Sequence, residues 1–172
     1  LHPRRAGAAV KVGVLTFHRC INYGSYWQAR CLVEGLRGMG VDAELLDHDS
    51  AEVSRAELKC ALQPQLPRRT RRADLGRYAA KTRSFHRAFE RMPRSRSFSL
   101  DQPEEAGAYD LVLVGSDEVW NFAHPWYGFK PIFFGDHLRA GRLASYAASF
   151  GNHDADCGID PDWAAKLKRF SA

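Results

Sequence analysis

The chain has 172 residues, 45% apolar and 26% charged, which suits one well-buried domain and leaves little room for a second. No apolar run reaches membrane-spanning length and no signal pattern opens the chain, so a soluble cytoplasmic protein is expected; Cys20, Cys31, Cys60 and Cys157 lack the spacing of a zinc site or a disulfide framework. The net charge of +5 hides an asymmetry, because between Arg55 and Arg96 thirteen Lys or Arg stand against only Glu57, Asp74 and Glu90, leaving the rest of the chain acidic.

Residues 1–10 show no periodicity and read as a flexible lead-in, ahead of one domain over 11–172. Val12, Val14, Leu15 and Phe17 make residues 11–17 a strand, followed by a loop over 18–24. Ala29, Leu32, Val33, Leu36 and Met39 recur at helical spacing within 25–40, and Gly38 and Gly40 mark the stop. A second short strand at 43–46 completes a strand-helix-strand unit, which requires a parallel, right-handed crossover. Residues 51–62 look helical, Pro64 and Pro67 interrupt, and 71–91 resumes helical spacing through Leu75, Tyr78, Ala79, Phe85 and Phe89 until Pro93. Residues 94–107 read as a connector, 143–148 as a further strand after a short apolar run at 131–134, and 161–170 as the start of an amphipathic helix.

The most informative junction lies at Tyr109-Asp-Leu-Val-Leu-Val-Gly-Ser-Asp-Glu-Val-Trp-Asn121. Leu111 to Val114 is the continuous apolar run of a strand covered on both faces, and Gly115, Ser116 and Asp117 stop it with turn formers. Ligands of open parallel sheets gather beyond such carboxyl ends. Asp117 is therefore the acid/base candidate, with an Asx-turn or helix cap as its bland alternative. Trp120 and Asn121 offer a sugar-stacking ring and an amide partner, or else ordinary packing. Asn22, Tyr23, Gly24 and Ser25 stand at a predicted helix N-terminus, where an anion or a sugar hydroxyl finds unpaired N–H groups and where Asn22 equally serves as a cap. Ser149 and Gly151 lie beyond the last strand, on the side of Ser145 and Ala147 by strand alternation. No G-x-G-x-x-G follows the first strand, so the dinucleotide fingerprint is absent. His18, His48, His124, His137 and His153 show no metal-ligand spacing, and only His18 is placed near the cleft. The run Arg68-Arg-Thr-Arg-Arg72 with the cations beyond it reads either as a solvated face or as a surface for phosphates, anionic lipid before nucleic acid.

Three blocks in order carry a family resemblance: Leu15-Thr-Phe-His-Arg-Cys-Ile-Asn-Tyr-Gly-Ser25, the Tyr109 to Asn121 stretch, and Ala144-Ser-Tyr-Ala-Ala-Ser-Phe-Gly151. Together they resemble the polysaccharide pyruvyl transferase family. The resemblance implies a Rossmann-like three-layer α/β domain with a mostly parallel sheet, one half of a two-domain architecture similar to that of the B-type glycosyltransferases. It also implies transfer of a pyruvyl group from phosphoenolpyruvate, as donor substrate and without a cofactor, onto two sugar hydroxyls of a surface polysaccharide or its lipid-linked precursor, forming a pyruvate ketal. On this reading Asp117 is catalytic, and Asn22, Tyr23, Gly24, Ser25, Gly115, Ser116, Trp120, Asn121, Ser149 and Gly151 bind substrate. The chain covers the first, acceptor-side half, so its expected partners are the sugar or lipid-linked glycan acceptor and phosphoenolpyruvate, and by itself it is expected to be inactive; through the basic segment a peripheral contact with anionic membrane is expected, and no nucleic acid. One departure is Glu118, where the family pattern has Gln. The alternatives are a nucleotide-sugar glycosyltransferase-like domain and a non-catalytic module binding nucleic acid or anionic membrane through residues 68–96.

Overall fold

Four parallel strands form the main sheet of the computed structural model, which describes residues 9–171. Most of the expected flexible lead-in thus lies outside the described residues. In chain order the strands are β1 (Lys11–Leu15), β2 (Asp42–Leu45), β5 (Ala108–Val114) and β6 (Arg139–Ser145), arranged as β2-β1-β5-β6, and the short β3 (His48–Asp49) and β4 (Phe98–Ser99) pair parallel in a second sheet. The helices are α1 (Tyr23–Gly38), α2 (Ala51–Leu62), α3 (Arg72–Phe89) and α4 (Pro161–Leu167). Among the described residues no helix is long and apolar enough to cross a membrane.

Strand alternation divides the core in two. Val12 and Val14 of β1 face a layer made by Tyr26, Ala29 and Val33 of α1 with Phe85 and Phe89 of α3. Leu15 of β1, with Val112 and Val114 of β5, faces the opposite layer. That layer is irregular and aromatic, built from Val119, Tyr127 and the 3-10 turn Pro131–Phe134, whose three apolar side chains are buried. The fold is the expected three-layer α/β arrangement with a mostly parallel sheet. Two details differ from the sequence reading. The final strand starts at Arg139 and ends at Ser145 rather than spanning 143–148, because an edge strand tolerates the exposed Arg139 and Arg142 and the chain bends at Ala147, φ 48°. The connector over 94–107 contains β4, whose Phe98 is buried in the core.

Beneath the strand ends lies a buried polar hub. Asp47 accepts hydrogen bonds from His18 Nε2 (2.8 Å), Arg19 Nε (2.9 Å) and Arg94 Nη1 (2.9 Å). Burial works to raise its pKa, but the bonds from His18 and Arg19 outweigh it and hold the carboxyl well below its usual range. His48, also buried, donates from Nε2 to the Thr16 carbonyl at 2.9 Å, and burial pushes it down to about 3, so it stays neutral. The reading of His18 as a cleft residue is corrected here: it is fully buried and committed to Asp47.

Removing the carboxylate strands the cations around it, so Asp47→Ala is expected to cost about 3 kcal/mol or more in urea denaturation. His48 binds no proton in the folded state until about pH 3, whereas the unfolded chain takes one near its ordinary value of 6.5. Its contribution is therefore complete above pH 6.5 and is lost as pH falls towards 3, at up to about 1.4 kcal/mol per pH unit. His48→Gln should flatten that part of the stability profile; an unchanged slope would contradict the assignment.

Candidate active site

Because the strands of the main sheet are parallel, their carboxyl ends open on one edge, and the loops after β1 and β5 meet there. They enclose a cleft of about 450 Å³ whose walls include Asn22, Gly24, Ser25, Glu57, Asp117, Glu118 and His124. The β5 loop is held tightly. Gly115, at φ 109°, turns the chain where a Cβ would collide with the Tyr146 carbonyl and come within 3.1 Å of the Ala148 nitrogen, so a side chain cannot be placed there. The Gly115-Ser116 peptide is cis, and Asp117 follows at φ 81°. Asp117 in turn gives its carbonyl to Ser149 N–H at 3.0 Å, which binds the loop after β6 to that after β5.

The Asp117 carboxylate is half-buried and reaches the first turn of α1. Ser25 Oγ donates to Oδ2 at 3.0 Å, and the Glu118 N–H donates to Oδ1 at 2.9 Å. Asn22 caps the same helix by accepting from Gly24 N–H at 2.7 Å. The place where a helix N-terminus favours an anion is thus taken by the protein's own carboxylate.

Two further carboxylates line the cleft. Glu57 comes from α2 and accepts from the Ile21 N–H at 3.1 Å; Glu118 accepts from Asn121 Nδ2 at 2.7 Å. Neither Lys nor Arg is among the lining residues. Cys20 sits behind Glu57, and burial, reinforced by Glu57 and Asp117, pushes its thiol far up, so it is a poor nucleophile. His124 faces the same space with a defined tautomer: its Nδ1 accepts the N–H groups of Trp126 (3.2 Å) and Tyr127 (3.1 Å), which leaves the proton on Nε2. Burial lowers its pKa against the opposing pull of Glu118, Asp117 and Glu57. The cleft therefore offers three carboxylate acceptors, with the His124 N–H as a neutral donor among them.

The structure brings Asn22, Gly24, Ser25 and Asp117 together and places the other expected residues elsewhere. Tyr23 turns outward and packs on Phe85 at 4.8 Å. Gly115 and Ser116 form the turn that leads into Asp117 and do not line the cleft, the Ser116 carbonyl accepting from Thr16 Oγ1 at 2.9 Å. Trp120 donates its indole N–H to the Phe133 carbonyl at 2.9 Å and packs on Phe134, Phe150 and Phe170, which makes it part of the core rather than a stacking platform for sugar. Asn121 is buried behind Glu118, and its Oδ1 accepts from Ala123 N–H at 2.9 Å. Ser149 receives the Trp120 N–H at its carbonyl, 3.1 Å away. Gly151, at φ 58°, lies so close to the Glu118 carboxylate that a Cβ would overlap it. These residues support the cleft from behind. Glu57 and His124 were missed as site residues: Glu57 looks like one more charge on a helix, and His124 is an isolated His.

A family model described as polysaccharide pyruvyl transferase matches residues 22–172. The chain belongs to that family. Comparison with curated proteins and with solved structures gives no match. The matched span of this polysaccharide pyruvyl transferase family member takes in all four strand-end loops except the start of the first, and so includes Asn22, Ser25, Glu57, Asp117 and His124. Among the described residues no group of His, Cys, Asp and Glu is arranged to hold a metal ion.

The tautomer of His124 can be read directly. Imidazole nitrogen shifts of the isotope-labelled chain should show a single Nε2–H form that persists below the ordinary histidine value of 6.5, since its pKa is lowered. Protonation at or above 6.5, or a mixture of tautomers, would contradict the geometry.

Proposed function

We propose that the cleft binds the hydroxyls of the glycan acceptor, and that Asp117 takes a proton from one of them as a pyruvyl group arrives from phosphoenolpyruvate. One observation carries this reading: three carboxylates and no Lys or Arg line the cleft. A phosphorylated, carboxylate-bearing donor would be repelled here, whereas neutral hydroxyls supply the donors that carboxylates accept. The same repulsion argues against a nucleotide diphosphate in this cleft. Family membership supports pyruvylation of a polysaccharide; phosphoenolpyruvate as donor, a ketal as product and the absence of a cofactor complete the proposal.

The chemistry assigns each proton. One sugar hydroxyl adds to C2 of the enol phosphate while C3 gains a proton and becomes a methyl group; the C2–O bond to phosphate then breaks, and the second hydroxyl adds at C2. Two C–O bonds form and one is lost, with one hydroxyl proton balancing that gained at C3 and the other leaving with inorganic phosphate. Asp117 suits the removal step because one oxygen is fixed by the Glu118 N–H and the other by Ser25, which aims the carboxylate into the cleft. The Nε2–H of His124 can donate to a hydroxyl oxygen while that hydroxyl donates to a carboxylate, orienting it for transfer.

Asp117→Asn preserves size and keeps an acceptor for Glu118 N–H while removing the titratable group. In a catalytically active form of the enzyme, phosphate release from phosphoenolpyruvate in the presence of glycan acceptor should fall about a hundredfold or more, chiefly in kcat, with little change in thermal stability. Unchanged turnover would reduce Asp117 to a turn former. Activity with a nucleotide sugar and none with phosphoenolpyruvate would replace the reaction class.

A further inference from the structure

The basic segment folds into α2, α3 and the loop between them, which Thr70 N–H closes by donating to Gln63 Oε1 at 2.8 Å. Its acids do little to neutralise it. Glu57 faces the cleft, Asp74 is paired with Arg71 at 2.9 Å, and Glu90 lies at the far end of α3. Around the loop, Arg68, Arg69 and Arg77 border an indentation of about 410 Å³ together with the Arg71–Asp74 pair, and no ion pair engages those three arginines among the described residues. At the same tip Leu66, between Pro64 and Pro67, is 48% exposed.

The surface continues along the body. Arg77 and Lys81 are four residues apart and share a face of α3, and the Lys81 ammonium lies 5.2 Å over the ring of Tyr23, itself 62% exposed. One turn further along α1 is Trp27, 52% exposed, with the Arg30 guanidinium 5.4 Å from its ring centre. Cations interleaved with part-exposed Leu, Tyr and Trp are the composition of surfaces that rest in the headgroup region of a bilayer. We propose that this face docks the protein onto an anionic lipid membrane, with the arginines meeting lipid phosphates and Leu66 entering the acyl boundary.

A nucleic acid would use the same charge but not the same apolar groups. Leu66 has no partner on a phosphate backbone. Docking would also place the cleft close to the lipid surface, because Glu57 on α2 lies only about 8 Å along the helix axis from its end at Leu62. The proposal is independent of the reaction assigned to the cleft.

Co-sedimentation of the chain with vesicles tests it. Binding is expected to equal parts of phosphatidylcholine and phosphatidylglycerol, to weaken as salt rises, and to be absent with phosphatidylcholine alone. Arg68→Glu with Arg69→Glu should reduce partitioning by at least about thirtyfold. Arg142→Glu with Lys168→Glu, the same charge change at exposed positions away from this face, should alter it only slightly, with circular dichroism confirming that both variants fold. Leu66→Ser should weaken vesicle binding several-fold while leaving any binding to a DNA duplex unchanged. The idea fails if the wild type ignores anionic vesicles at low salt, if both charge pairs matter equally, or if Leu66→Ser leaves vesicle binding unchanged.

Discussion

The hydrogen bond from Ser25 to the Asp117 carboxylate is the contact on which the site depends. It joins the first turn of α1 to the loop after β5, two segments ninety-two residues apart in the chain. It places a negative charge where the helix dipole favours one. Because that position is filled from within, the cleft does not present a free anion site, and with Glu57 and Glu118 beside it the local field favours hydroxyl donors over phosphates. The functional reading follows from this charge more than from the shape of the cavity.

Such a loop stays in place because its supports are buried and satisfied. Gly115 and Gly151 allow close backbone approach, Asn121 secures Glu118, and Trp120 anchors the loop through the Phe133 carbonyl. On the other side, Thr16 bonds to the Ser116 carbonyl and accepts the His48 N–H at its own, which links the turn before Asp117 to the hub around Asp47. Polar groups at this depth are costly when unpaired, so the hub specifies how the segment after β1 turns.

Much of the fold could be read from the sequence because its strongest signals are local. Val12, Val14 and Leu15 mark β1, and the apolar spacing across α1 identifies the face it buries; α2 occupies the expected residues 51–62. Asp117 could be singled out because a buried strand ran into turn formers. What stayed hidden depends on tertiary placement. Side-chain direction in a loop follows no period, so nothing local distinguished Trp120 packed in the core from Trp120 facing a ligand. Glu57 reaches the cleft only through the packing of α2, and the role of His124 depends on two backbone donors in the turn that follows it. Phe98 was concealed by its Ser- and Arg-rich surroundings, although a single pair of residues suffices to make β4.

The central claim is that this cleft accepts sugar hydroxyls and rejects the anionic donor. The most direct measurement is a nuclear magnetic resonance titration of the isotope-labelled chain, first with a glycoside bearing a neighbouring pair of free hydroxyls and then with phosphoenolpyruvate. The glycoside should shift the resonances of Ser25, Glu57, Asp117 and His124 in a saturable way, and phosphoenolpyruvate should leave them unmoved. Saturable shifts of those residues with phosphoenolpyruvate, and none with the glycoside, would contradict the account.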